Sequence, residues 1–234
     1  MPKSRRTLQR SSIRRWLLRV AIALLVWIAL TLISVLALRF VAPPTSAFML
    51  AHRVTNGPVR YRFEPLAQIS PALPIALVAA EDQKFPVHHG FDVQAIAEAM
   101  EDADEGARLR GASTISQQTA KNLFLWGGRS FVRKGFEAYF TVLLELLWPK
   151  SRILEVYANI AEFGDGVYGA EAAAHAYFGK SARDLDEHEA ALLAAALPNP
   201  KKFNPAQPSP YVLRRADWIE RQVRQLGGPA YLQH

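Results

Sequence analysis

The sequence predicts a mainly α domain carried behind one N-terminal membrane-spanning helix. Three observations lead there. Nineteen consecutive residues, Val20 to Leu38, carry no charge and are nearly all apolar. Beyond them, apolar residues recur at helical spacing in run after run, each bounded by Pro, Gly or a capping residue. Strand-like alternation is confined to Val59–Phe63. Half of the 234 residues are apolar, enough for one sizeable domain and too few for two large ones.

The chain begins with a basic tail over residues 1–19. Lys3, Arg5, Arg6, Arg10, Arg14, Arg15 and Arg19 stand there with no acid among them. Taking those seven from the 28 basic residues leaves 21, equal to the 21 acidic ones. The net charge of +7 therefore belongs to the tail and does not point to nucleic acid. The apolar run 20–38 matches the ~30 Å of a bilayer core at 1.5 Å per residue. It exceeds the usual signal-peptide core, although Pro44-Thr45-Ser46-Ala47 offers a cleavage site. We expect an uncleaved anchor with a cytoplasmic N-terminus, because the basic excess precedes the span. Residues 45–234 are then expected on the far side. There is no cysteine, which excludes disulfides and thiolate-bound metals.

Residues 45–72 read as an irregular connection broken by prolines, and carry no assigned chemistry. Ser70-Pro71 starts a helix with Leu73, Leu77 and Ala80 at core spacing, and that helix delivers Glu81 at its end. Pro86 and Gly90 make the next stretch a loop, and Asp92 can cap a helix over Val93–Met100. A carboxylate at a helix C-terminus faces the negative end of the macrodipole, which raises its pKa and suits a general base. A solvated loop residue is the alternative. His88 and His89 look metal-like, but no third ligand has zinc spacing, and a hydrogen-bonded structural role fits His88 better. The polar stretch 101–110 reads as an exposed loop.

Ser113 or Thr114 can cap the next helix, which runs to about Leu125. Gln117 and Lys121 share one face of it, and Thr114, Gln118 and Asn122 another. Hydroxyls, amides and one Lys near a helix N-terminus suit a sugar or phosphate, or simply form a polar face. Leu123, Phe124, Leu125, Trp126 and Phe131 are either core or a lipid-facing patch around Gly127-Gly128-Arg129. A helix from about Arg133 to Trp148 buries Phe136, Phe140, Leu143, Leu144 and Leu147. On it Arg133, Lys134 and Glu137 can meet. That is either a surface ion pair or a diphosphate site, with two cations for phosphate oxygens and a carboxylate for a divalent cation. Ile153–Asn159, a Gly-punctuated loop at 163–169 and small residues from Ala170 read mainly as scaffold. A last amphipathic helix over 210–226 turns Val212, Trp218, Ile219 and Val223 inward.

Read together, four stretches resemble the signatures of the peptidoglycan glycosyltransferases, glycosyltransferase family 51. The first is Glu81-Asp82-x-x-Phe85-x-x-His88-x-Gly90-x-Asp92. The second is Gly111-Ala112-Ser113-Thr114-Ile115-Ser116-Gln117-Gln118-x-x-Lys121-Asn122, with Ala112 where a second Gly is common. The third is Arg133-Lys134-x-x-Glu137, with Glu145 at a usual structural Glu. The fourth runs from Ile153-Leu154-Glu155-x-Tyr157-Ala158-Asn159, with Ala158 for a usual Leu, to Phe163–Ala173. The resemblance covers about residues 65–205 and implies a lysozyme-like glycosyltransferase domain. It implies lipid II and the growing lipid-linked glycan chain as substrates, and undecaprenyl diphosphate as leaving product. Glu81 is then the base and Glu137 the second essential carboxylate. Arg133, Lys134 and Lys121 face the diphosphate, with Mg²⁺ or Mn²⁺ at Glu137. Ser113, Thr114, Gln117, Gln118 and Asn122 orient sugars and phosphates. The chain ends soon after the domain, so a monofunctional enzyme without a transpeptidase domain is expected. It would sit in the bacterial inner membrane with its catalytic domain periplasmic, beside possible cell-wall synthesis and division partners. A lytic muramidase or transglycosylase, or a non-catalytic tethered scaffold, are the competing classes.

Overall fold

The computed structural model describes residues 4–104, 113–128 and 130–233. Lys3, the stretch 105–110, Gly111, Ala112 and Arg129 lie outside the described residues. The chain divides into two compact units, Met1–Val41 and Ala42–His234.

The first unit is helix α1, Ser4–Phe40. Its Arg14–Phe40 portion is long and apolar enough to cross a membrane. Helix α1 stops before Pro43 and Pro44.

The second unit is mostly helical. Helix α2 (Ala47–Thr55) opens it, with Ser46 Oγ accepting from Met49 N at 3.2 Å. The sequence reading left this stretch irregular, yet a Ser cap ahead of an amphipathic nonapeptide was sufficient. Strand β1 is Arg60–Tyr61, shorter than the alternation suggested. Helix α3 (Ala72–Glu81) is followed by α4 (Val93–Asp104). Asp92 Oδ1 caps α4 through Ala95 N at 3.0 Å. Residues 101–104 therefore extend that helix and are not part of a loop. Helices α5 (Ile115–Phe124), α6 (Phe131–Leu147) and α7 (Lys150–Ile160) come next. The Gly-punctuated segment folds into a hairpin of β2 (Glu162–Gly164) and β3 (Val167–Tyr168), which the sequence reading treated as loop. Helices α8 (Ala170–Phe178), α9 (Glu187–Ala196) and α10 (Pro210–Leu226) complete the unit.

Helix α3 is buried almost all round, from Leu73 to Ala79. It packs against α9 and α10, while α5 packs against α6 and α7. The five buried alanines of α9, on either side of Leu192 and Leu193, let backbones approach closely. In α6, Phe140 and Leu144 are buried while Phe136, Leu143 and Leu147 are half-buried. The apolar cluster ahead of α6 splits. Leu123 and Leu125 are core, Phe124 stacks on Phe140 at 4.4 Å, and Trp126 and Phe131 are exposed. On α10, Val212 and Ile219 point inward, but Trp218 is 38% exposed and belongs to the surface, contrary to expectation. The small sheet has order β1-β3-β2, with β1 parallel and β2 antiparallel to β3. Buried Asn159 clamps the chain beside it: its Oδ1 accepts from Glu64 N, and its Nδ2 donates to the Glu64 and Glu155 carbonyls, all at 2.8 Å.

Candidate active site

Glu81 is the last residue of α3, because Asp82 leaves helical geometry at φ −163°, ψ 76°. The Asp82 carboxylate then ties the following loop down. It accepts from Ile115 N at 2.9 Å and from His88 Nε2 at 2.9 Å. His88 Nδ1 accepts from Gly90 N at 3.1 Å, which fixes Nε2 as the donor to Asp82. His88 is thus a structural clasp, and the loop is bolted to the N-terminus of α5. The result is a cavity of about 340 Å³ lined by Glu81, Lys84, Asp92, Glu98, Ser113 and Thr114.

The Glu81 side chain is only 17% exposed. Gln118 Nε2 donates to its Oε2 at 2.9 Å. Its Oε1 lies 3.8 Å from Arg215 Nη2 and accepts no hydrogen bond among the described residues. Burial pushes the carboxyl above the ordinary range; the Gln118 hydrogen bond, Arg215 and Lys121 pull it back, and Asp82 adds to the rise. The sequence reading ascribed a raised pKa to the helix end. Desolvation is the largest cause.

Helix α5 begins with a full capping box. Thr114 Oγ1 accepts from Gln117 N at 3.2 Å, and Gln117 Oε1 accepts from Thr114 N at 3.0 Å. Thr114 Oγ1 also donates to Gly90 O at 2.7 Å. Both residues are at most 3% exposed, and the Thr114 hydroxyl and the Gln117 side-chain oxygen are engaged at the helix start and the loop. Ser113 stays exposed, while Gln118, Lys121 and Asn122 are half-buried. Burial pushes the Lys121 ammonium down; Glu137 and Glu81 oppose that, and Arg133 and Lys134 add to it. Lys121 therefore stands in the field of both carboxylates.

Ser130 caps α6, accepting from Arg133 N at 3.1 Å. Arg133 Nη1 and Lys134 Nζ reach opposite oxygens of Glu137 at 2.7 and 2.5 Å. Glu137 is buried, so this is not a solvated surface pair. Arg133 Nε is buried without a hydrogen-bond partner among the described residues, leaving a donor for an anion. Glu145 has the expected structural role, bonded by Ser116 Oγ and by Lys150 Nζ, the latter at 2.8 Å.

A His and two acids with spacing for a metal ion occur elsewhere. Ligand atoms of His52, Glu162 and Asp165 lie within 4.8 Å of one another. Glu137 belongs to no such group among the described residues.

Two residues at this site escaped sequence reasoning. Arg215 falls on the Val212–Ile219 stripe of α10, and an Arg on a buried stripe was a usable signal. Tyr157 looked like core on α7, and 39 positions separate it from Gln118, to which its hydroxyl donates at 3.1 Å. No local pattern announces that pairing.

The transglycosylase family profile matches residues 50–224. A biosynthetic peptidoglycan transglycosylase of Xylella fastidiosa (strain 9a5c) is 55% identical over 224 residues, 93% of this chain and 92% of the relative. One from Xanthomonas campestris pv. campestris (strain B100) is 53% identical over 227 residues, 94% of this chain and 92% of the relative. Another, from Xanthomonas axonopodis pv. citri (strain 306), is also 53% identical over 227 residues. With the profile spanning the α3–α10 site and relatives matching along nearly their whole length, the chain belongs to the transglycosylase family.

Proposed function

We propose that this protein is a membrane-anchored peptidoglycan glycosyltransferase that polymerises lipid II into β-1,4-linked glycan strands, releasing undecaprenyl diphosphate. One observation carries the reading: a half-buried, desolvated carboxylate, Glu81, shares its site with three cations gathered around a buried second carboxylate, Glu137. Glu81 Oε1 takes the proton from the acceptor GlcNAc 4-hydroxyl as that oxygen attacks the donor's anomeric carbon. The carbon–oxygen bond to the α-diphosphate breaks on the opposite face, so the product is inverted to β. A diphosphate is a good leaving group and needs cations more than an acid. Arg133, with its free Nε, and Lys121 and Lys134 supply them. The positive end of α6 lies beside them. Ser113 and Asn122 are left to contact the sugars.

The expectation of Mg²⁺ or Mn²⁺ at Glu137 does not fit this arrangement. Both oxygens of Glu137 are occupied by cationic side chains, and Glu137 belongs to no group of three possible metal ligands among the described residues. No step is routed through a metal.

Helix α1 serves as the anchor, with the basic tail cytoplasmic, residues 20–38 spanning and residues 45–234 periplasmic. Exposed Trp126, Phe131 and Val132 support contact of the domain with lipid. The test is incubation of the detergent-solubilised chain with lipid II. Polymer and undecaprenyl diphosphate should appear, and Arg133→Ala should lower polymerisation strongly, because its charge acts on the transition state. Cleavage of lipid-free glycan strands, with no product from lipid II, would overturn the reading in favour of a lytic enzyme.

A further inference from the structure

A side-chain amide is nearly symmetric in shape, so packing alone does not decide which end of Gln118 meets Glu81. The answer matters. The NH₂ stabilises the carboxylate, whereas the carbonyl oxygen repels it. Something at the far end of the amide must choose. That end faces Tyr157, which is 1% exposed and lies on α7, where it was read as scaffold. Its hydroxyl donates to Gln118 Oε1 at 3.1 Å, and Gln118 Nε2 in turn donates to Glu81 Oε2 at 2.9 Å. The hydroxyl has no other hydrogen-bond partner among the described residues.

We propose that Tyr157 is a positioning residue for the reaction: by donating to the Gln118 carbonyl it holds the amide with its NH₂ on Glu81 Oε2. Oε1 is thereby left as the basic oxygen. This deepens the reading of Glu81 as the base and rests on it. Burial pushes the Tyr157 hydroxyl well above the ordinary tyrosine range, so it keeps its proton and remains a donor. The relay offsets part of the desolvation of Glu81. It favours the ionised carboxylate without spending Oε1 on a permanent partner.

Other groups also act on Glu81, and the test must separate them. They are Arg215 from α10, Lys121 from α5 and Asp82 next in the chain, itself paired with His88. Removing one hydroxyl from α7 leaves all three side chains in place, and because Tyr157 also lies in the field of Asp82 and Glu81, the Gln118 variant below separates the relay from that direct effect.

Tyr157→Phe removes the donor and keeps the ring. The Gln118 amide then turns its carbonyl toward Glu81 or swings away, and Glu81 binds its proton more tightly. In the full chain in detergent, ¹³C-carboxylate NMR of labelled glutamates should show Glu81 titrating about one pH unit higher, a tenfold gain in proton affinity. Glu81→Gln identifies the signal. The acid limb of kcat/KM with lipid II should move the same way. A Tyr157→Phe, Gln118→Met double variant removes the hydroxyl and the amide together, and should titrate like Gln118→Met alone. If the single Tyr157→Phe variant folds poorly, a difference between the double variant and Gln118→Met still overturns the relay. An unmoved Glu81 signal in Tyr157→Phe, or a shift that persists without Gln118, overturns the proposal. The NMR arm needs no turnover. If the wild type makes no polymer from lipid II, the catalytic reading fails while the relay is still judged on its own.

Discussion

Glu81 carries a conflict between chemistry and stability. Its folded-state carboxyl is raised, chiefly by burial. Below the unfolded value, near 4.5, the group is protonated in both states and costs nothing. As pH rises through the raised folded value, the native state must hold a buried charge, and stability is lost. Glu81→Gln removes that cost. We predict a rate loss of about 10²–10⁴-fold, the usual range for a general base. We also predict a higher Tm than wild type at neutral pH, with the gain vanishing below about pH 4.5. Thermal melts at pH 7 and pH 4 check the second point. A lower Tm at pH 7 would show that Glu81 is a structural partner and not a strained base.

At the scale of elements, the active-site walls depend on contacts far from them. Gly169 joins β3 to α8 at φ +86°, and a Cβ there would lie 2.5 Å from the Asn159 carbonyl oxygen. That oxygen is backbone of α7, the helix that also carries Tyr157, so it cannot swing aside. Gly169→Ala is predicted to destabilise the fold by more than about 3 kcal/mol, combining backbone strain with overpacking. Chemical denaturation measures it. A loss under about 1 kcal/mol would mean the α7–β3 contact is soft. Glu171, at the start of α8, shows the same economy: buried, it accepts from Ala182 N at 2.8 Å and meets His175 at 3.0 Å.

At the scale of the whole molecule, the asymmetry of charge sets the topology we propose. Seven basic residues precede the apolar span, and the remainder is formally neutral. Protease added outside spheroplasts should digest residues beyond α1 while a tag on the N-terminus stays protected. A digested tag with a surviving domain would reverse the orientation.

Periodicity, caps and punctuation made most of the helices legible, because each is a property of neighbouring residues. Asp92 as a cap, Glu81 at a helix end and the Arg133–Lys134–Glu137 face were all readable within four residues. Burial was not. Thr114 and Gln117 read as polar residues of one helix, and only the fold shows that the Thr114 hydroxyl and the Gln117 side-chain oxygen close a capping box and hold the loop at Gly90. Glu137 looked free for a metal until two cations closed on it. Arg215 and Tyr157 approach Glu81 from helices 134 and 76 positions away in the chain. Local sequence determined which groups exist and on which face each stands. Only packing α5 against α6 and α7, and α3 against α10, decided which lost water and which met. Desolvation and pairing are long-range properties, and they brought a desolvated carboxylate and a cluster of cations out of a row of polar residues.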